Sequence, residues 1–366
     1  MGEMLTKGDD FPLHQSSEPM AFAGGDRNFY DRYFFNGYSP DGRIFFAAAM
    51  GFYPQLSIVD ASFCVILDGV QHNLRASRRS DGDRLDLFVG PIAISVDIPL
   101  EKLTLIISPN DGPLAAHLTF AARHSPIEEP RFIRRNGTRL FMDYTRMTQN
   151  GHWTGWFRVD GQRVELSANW GGTRDRSWGI RPVGAAESQP PPQGNFSQFF
   201  WLWTPCSFAD ASLFFHTNDD DMGIPWNRRA VLCRDDGTEQ HFDAPRFEID
   251  WEKGTRRAAG LSADLGHGHH ITLRPKGPVF AMSGLGYTHP IWGHGLDHGP
   301  DLDIAYDQLT EAERGPSNPL AMHIQQLVQA VWTSPNGSAE GIGIAEQLFV
   351  GPHQPTGLTG LLDPVA

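Results

Sequence analysis

The sequence predicts an all-β protein of two antiparallel barrel or sandwich domains with few helices, on three observations. Four of the six Asp-Gly pairs punctuate strand-like runs, convincing helical periodicity is scarce, and a proline-rich break divides the chain near its middle. Asp41-Gly42, Asp68-Gly69, Asp160-Gly161 and Asp236-Gly237 are hairpin signals, because a tight turn between antiparallel strands needs positive φ at its centre.

Between these turns, Phe45-Phe46, the run FCVIL from Phe63, IAISVDI from Ile92 and WTGWFRV from Trp153 carry the aromatic and branched residues that suit a pleated surface. The best helix candidate is DIAYDQLTEAER from Asp303. NPLAMHIQQLVQAVW from Asn318 has a helical stripe at Leu320, Ile324, Leu327, Val328 and Val331. SPNG and the strand-like GIGIAEQLFVG then follow as in a hairpin, which favours a strand. Many short strands with few helices predict a barrel or sandwich in each half. The break PVGAAESQPPPQGN at 182–195 sets domains at 1–182 and 195–366, with a linker at 183–194.

A chain of 366 residues suits two domains, and 40% hydrophobic residues can fill both cores. Thirty Lys and Arg against 43 Asp and Glu leave a net charge of −13, which repels phosphate backbones and anionic membrane surfaces. Nucleic-acid binding is therefore not expected. The first residues lack the apolar core of a signal peptide, and no stretch reaches the length of a membrane span. The expectation is a cytoplasmic protein without membrane insertion. Cys64, Cys206 and Cys233 are odd in number and widely spaced, and read as buried thiols. Phosphate-cradling loops, dinucleotide fingerprints and nucleophile elbows are missing, so no cofactor is expected.

The densest concentration of awkward residues is GGTRDRSWGIRP at 171–182. Arg174, Asp175, Arg176 and Arg181 are costly to bury unpaired, and Trp178 is costly to expose. A paired, half-buried cluster beside a pocket near the domain seam reconciles them. Neighbouring guanidinium groups hold Asp175 ionised, whereas apolar enclosure raises its pKa towards use as an acid. The structural alternative is an ion-pair network stapling the two halves together.

Six histidines fall within 267–298. His267, His269 and His270 read as a solvated hairpin, and their spacing with the others matches no zinc motif, so no metal is expected. In YTHPIWGHG, His289 or His294 is a candidate base or hydrogen-bond donor beside Tyr287 and Trp292. With 10 Trp, 24 Phe and 7 Tyr, aromatics exceed what β cores need. Tyr144, Trp201 and Trp203 are assigned to the wall of a pocket for a bulky, ring-bearing ligand. Glu346 shares a strand face with Ile342, Ile344 and Leu348, and an inward carboxylate there needs a partner such as Arg174, Arg176 or Arg181. A surface position is the alternative.

RDRSWGIRP and YTHPIWGHG, together with FNGYSPDGRIFF near the start and GIGIAEQLFVG near the end, resemble the AttH-like and carotenoid 1,2-hydratase-like proteins, in an uncharacterised bacterial branch. The resemblance implies two lipocalin-like antiparallel β-barrels packed side by side. It also implies a cofactor-free site at their junction, acting on bulky terpenoid or polyketide-like molecules by hydration or cyclisation. Trp178 matches the carotenoid hydratase pattern. The histidine that precedes this tryptophan by two places in those enzymes is Arg176 here, and their downstream Tyr-x-Asp acid has no counterpart in WLWTPCSF.

These readings combine into one expectation: a cofactor-independent lyase for a bulky aromatic, terpenoid or steroid-like catabolite, working by hydration, dehydration or retro-aldol cleavage. Asp175, Arg174, Arg176, His289, His294 and Glu346 are the expected catalytic set. Trp178, Arg181, Tyr287, Trp292, Trp201, Trp203 and Tyr144 are the expected binding set. The alternatives are a carrier of apolar molecules and an isomerase or cyclase on the same scaffold. The small molecule is the expected partner, with a homodimer compatible.

Overall fold

The computed structural model describes residues 5–22, 24–187 and 198–365. Among them, helical structure is limited to five 3-10 turns of three or four residues, and the remaining regular structure is strand. The Asp-Gly signals mark real turns. Asp68 and Gly69 have φ of 50° and 81°, and Asp160 and Gly161 have 47° and 86°. Positive φ at both central residues matches the twist of the flanking antiparallel strands.

The strands form two sheets. The path of the first runs from Asp303–Leu309 through Val70–Arg79, Ile58–Leu67, Phe45–Tyr53 and Phe29–Tyr38 to Gln162–Ile180. It continues through Arg139–Val159, Leu114–Ala122, Lys102–Ile107 and Ile92–Ile98 to Phe88–Val89. The second runs from Glu239–Phe242 through Pro225–Arg234, Ala211–Asp219, Phe199–Ser207, Gly337–Val350 and His323–Ser334. It ends with His269–Ala281, Ala258–Gly266 and Arg246–Trp251.

Each sheet curls on its own core. Leu74 and Leu105 lie far apart along the first path, yet both pack into one buried cluster with Phe46, Phe63, Phe120 and Trp153. Phe200, Leu232, Leu261 and Val328 do the same in the second sheet. A third cluster, with Phe34, Phe45 and Tyr53 from the first sheet and Trp201, Trp203, Phe280 and Leu327 from the second, fills the seam between them. Gly172 makes one close approach possible: a Cβ there would stand 2.4 Å from Nε1 of Trp153, which donates to the Asn36 carbonyl at 2.8 Å.

Two expectations are corrected here. The run from Asp303 is a strand, not a helix, pairing with Val70–Arg79 from Asp303 opposite Ser77 to Leu309 opposite Gln71. An open sheet edge outweighs local helical preference, and side chains reinforce it. Arg75 meets Asp307 at 2.6 Å, and His72 Nδ1 meets the Tyr306 hydroxyl at 2.7 Å. Residues from the second half of the chain thereby complete the first sheet. His269, expected on a solvated hairpin, is 7% exposed, its ring stacked on Trp332 and its Nδ1 accepting from the Trp332 indole N–H at 3.2 Å. His267 does occupy the turn, with φ of 53°, and His270 is exposed.

His323–Ser334 is a strand, paired with Gly337–Val350. Cys64, Cys206 and Cys233 are buried free thiols. Within the linker read at 183–194, residues 188–194 lie outside the described residues. No helix among the described residues is long and apolar enough to cross a membrane.

Candidate active site

Alternation along the strands decides which side chains reach the seam. On Phe29–Tyr38, Tyr30, Phe34 and Tyr38 enter the seam core, while Tyr33 and Phe35 enter the first barrel. Directly paired residues share a face. Asp175 stands opposite Phe34 on one side and Thr148 on the other, so it faces the seam. Arg174 and Arg176 stand opposite Phe35 and Tyr33, so they point into the first barrel.

Asp175 as a residue is half-buried, its carboxyl sits in buried surroundings, and it makes no hydrogen bond with a described residue. Burial raises its pKa to about 7. The charge of Arg146 pulls it down, Glu129 and Glu346 push it up, and Arg32 pulls it down again. Asp175 is therefore a carboxyl that exchanges a proton near neutral pH.

Its neighbours are locked in place. Glu129 is 4% exposed and accepts from Nε and Nη2 of Arg146 at 2.9 and 2.6 Å, from the Thr148 hydroxyl at 2.5 Å and from the Trp203 indole at 3.2 Å. Burial alone would raise the Glu129 pKa, but Arg146 and these donors hold it below the ordinary value. The Arg146 guanidinium also lies over the Trp201 ring at 4.5 Å and the Phe132 ring at 4.9 Å.

Glu346 accepts from Trp201 Nε1 at 2.9 Å and Gln325 Nε2 at 2.6 Å, and its Oε1 lies 2.8 Å from Nε2 of His323. Against burial, these contacts hold it ionised, with its pKa lowered. Asn36 steadies Gln325 through a bond of 3.1 Å across the seam. With Nε2 of His323 turned to Glu346, its Nδ1 is left buried without a hydrogen-bond partner among the described residues.

A third group closes the other side. Nε2 of His294 lies 2.9 Å from the Leu285 carbonyl, which can only accept, and its Nδ1 lies 2.9 Å from Arg32 Nη1, which can only donate. The ring is therefore neutral, and burial with the charges of Arg32 and Arg181 lowers its pKa well below the ordinary value. The YTHPIWGHG loop is fixed by Gly295 N–H on Asp60 at 2.8 Å and by Gly184 N–H on the His294 carbonyl at 2.7 Å. Tyr287 packs edge-on against both His294 and His323, at 4.4 and 4.7 Å, with Arg32 over its face at 4.7 Å. Arg181 lies over Tyr30 at 4.3 Å.

A family model matches residues 5–359. The chain belongs to DUF8625, a family of unknown function. No curated protein matches the sequence. The DUF8625 chain is similar in structure to AttH (NE1406) of Nitrosomonas europaea, at a TM-score of 0.52 and 11% identity, over 92% of this chain and 98% of that one. It is also similar to kievitone hydratase of Nectria haematococca, at a TM-score of 0.53 and 11% identity, over 87% of this chain and 88% of that one. The DUF8625 chain thus has the all-β, double lipocalin-like fold of these neighbours.

Of the residues singled out in the sequence, the seam of this DUF8625 protein brings together Asp175, Glu346, His294, Arg181, Tyr287, Trp201, Trp203 and Tyr144. It does not bring in the others. Arg174 donates to Gln149 inside the first barrel, and Arg176 meets Asp31 at 2.7 Å and covers the Tyr33 ring at 3.8 Å. Neither arginine is the partner of Glu346. Trp178 is 38% exposed on the same face as these arginines. His289 takes the backbone N–H groups of Ile291 and Trp292, and Trp292 stacks on His298 at 3.9 Å, outside the seam cluster. Among the described residues no group of three or more His, Cys, Asp or Glu could hold a metal ion.

Sequence reading overlooked Arg32, Glu129, Arg146 and His323. Arg32 and Arg146 sit at even spacing from the seam-facing Phe34 and Thr148, which is the signal that could have found them. Glu129 and His323 carry no such local mark.

Proposed function

We propose that the seam is the active site of a cofactor-independent lyase for bulky apolar molecules, with Asp175 as the group that gives and takes the proton. The observation that carries this reading is Asp175 itself: the carboxyl of a half-buried residue, unpaired among the described residues and pushed up to about 7, set against an aromatic wall. A general acid works best with a pKa near the working pH. The other carboxylates of the seam, Glu129 and Glu346, are instead saturated with donors and lowered.

Hydration and dehydration use these groups economically. In the dehydrating direction, protonated Asp175 gives its proton to a departing hydroxyl, water leaves, and the β-proton passes to a base. His323, with its free Nδ1 and its Nε2–H held by Glu346, is the base we assign. Hydration is the reverse. The shared fold with a kievitone hydratase adds a precedent for that chemistry on this architecture. The charges of Arg32 and Arg146 on Asp175 also favour an enolate, so retro-aldol cleavage is the second reading within the same class. Trp201, Trp203, Tyr144 and Tyr287 supply the wall for a ringed substrate.

The test is to incubate the protein with a panel of phenolic and terpenoid alkenes and alcohols, and to follow gain or loss of one water by mass spectrometry in ¹⁸O-labelled water. Label uptake that falls by about 10²-fold or more in Asp175→Asn supports the reading. Tight binding of panel members without any turnover makes the protein a carrier instead.

A further inference from the structure

Two guanidinium groups in the seam converge on one acceptor. Nη1 of Arg32 lies 2.9 Å, and Nη2 of Arg181 3.4 Å, from Nδ1 of His294. That nitrogen offers a single lone pair on a neutral ring, and the nearer guanidinium takes it. Arg32 is 2% exposed, reaches the Leu285 carbonyl only at 3.5 Å, and leaves its Nε buried with no hydrogen-bond partner among the described residues. Arg181 otherwise meets ring faces, Tyr30 at 4.3 Å and Tyr287 at 5.8 Å. Neither arginine makes an ion pair with a described residue.

The acids around them are committed elsewhere. Asp60 accepts from the Gly295 N–H at 2.8 Å and the Tyr53 hydroxyl at 3.2 Å, and burial raises its pKa against the charges of Arg32 and Arg181. Glu129 is bound to Arg146, and Glu346 to Trp201, Gln325 and His323. A buried cation without an anion is costly, and two that point at one spot mark a place for an anion. Arg181, Tyr287 and His294 are half-buried residues, so solvent reaches this end of the seam.

Taking the seam as the active site proposed above, we infer that its substrate is a ringed carboxylic acid whose carboxylate is held by Arg32 and Arg181. A planar guanidinium matches a carboxylate in parallel hydrogen bonds, and a single negative charge suits a seam that also holds Asp60, Asp175 and Glu346. Arg32 and Arg146 flank Ser177 in one cross-strand row, and Asp175 stands in the next row beside Phe34. Such diagonal neighbours are about 7–8 Å apart at Cα. That spacing suits an acid with its hydroxyl on the β-carbon. The α-proton passes to His323, the Cα=Cβ bond forms as the Cβ–O bond breaks, and Asp175 gives the proton that turns the leaving hydroxide into water. Guanidinium groups on the carboxylate favour loss of the α-proton.

Isothermal titration calorimetry with naphthylacrylate and, separately, its primary amide tests this. The acid is expected to bind about tenfold tighter or more. Arg32→Gln is expected to erase that advantage while the amide still binds, and Arg181→Gln, at a half-buried residue, serves if the first variant fails to fold. Arg176→Gln, inside the first barrel, is expected to keep it. Equal affinity for the two probes, binding of neither, or an advantage that survives both seam variants overturns the inference. An arginine-dependent advantage without turnover of any panel member keeps the carboxylate site and makes the protein a carrier. Turnover of neutral panel members with equal binding of the two probes keeps the lyase and removes the carboxylate site.

Discussion

Nε2 of His323 lies 2.8 Å from Oε1 of Glu346, joining two adjacent strands of the second sheet where they face the first. Neither is exposed: His323 is at 3% and Glu346 at 8%. Three donors converge on one buried carboxylate, so its removal leaves an indole, an amide and an imidazole without an acceptor.

Glu346→Ala should therefore cost about 3 kcal/mol or more of stability at neutral pH, and Glu346→Gln less, since its amide oxygen still accepts. The pH dependence follows from the lowered folded pKa of Glu346. A depressed carboxylate contributes stability above its unfolded pKa and loses it as pH falls through the folded value. The difference between wild type and Glu346→Gln in chemical denaturation should thus shrink on acidification below about pH 4. A difference that is constant with pH would show that Glu346 is not held ionised.

Asp175 behaves with the opposite sign. Its folded pKa of about 7 lies above that of an unfolded aspartate, so the folded state binds the extra proton and stability falls as pH rises through that window. Asp175→Asn removes the penalty. Thermal melts should show the variant equal to wild type near pH 4 and more stable by ~2 °C or more at pH 8. A variant less stable at pH 8 would make the aspartate a structural charge.

Arg146→Met should destabilise strongly, by about 3–5 kcal/mol, because it leaves Glu129 buried without its cation. Adding Glu129→Gln should recover part of that loss. A double variant no better than the single one would mean that the pair does not act as a unit.

Trp178→Phe should change stability by no more than ~0.5 kcal/mol and leave any turnover at the seam unaltered. Its ring is exposed and faces away from Asp175. A large rise in KM for a seam substrate would contradict that placement.

The strands and turns were legible because their signals are local: Asp-Gly at turn centres and dense aromatic runs between them. The run from Asp303 was misread because its partner, the open edge of Val70–Arg79, lies more than two hundred residues away in sequence. Asp175 and Glu346 could be singled out as carboxyls in unusual company. Their partners could not, because the contact of Glu346 with His323 depends on the register that sets Leu348 opposite His323 and Gln325 opposite Glu346. Arg174 and Arg176 were grouped with Asp175 by adjacency, yet residues one apart on a strand face opposite sides. The motif therefore divides its side chains between the seam and the first barrel.

The most direct test of this account is the ionisation of Asp175 itself, read from the carboxyl ¹³C shift of aspartate-labelled protein titrated by NMR, with Asp175→Asn to assign the signal. The seam as described predicts one aspartate titrating near pH 7 that disappears in the variant. A signal for Asp175 that titrates near the ordinary aspartate value of about 4 would contradict it, and with it the assignment of the proton-transfer role.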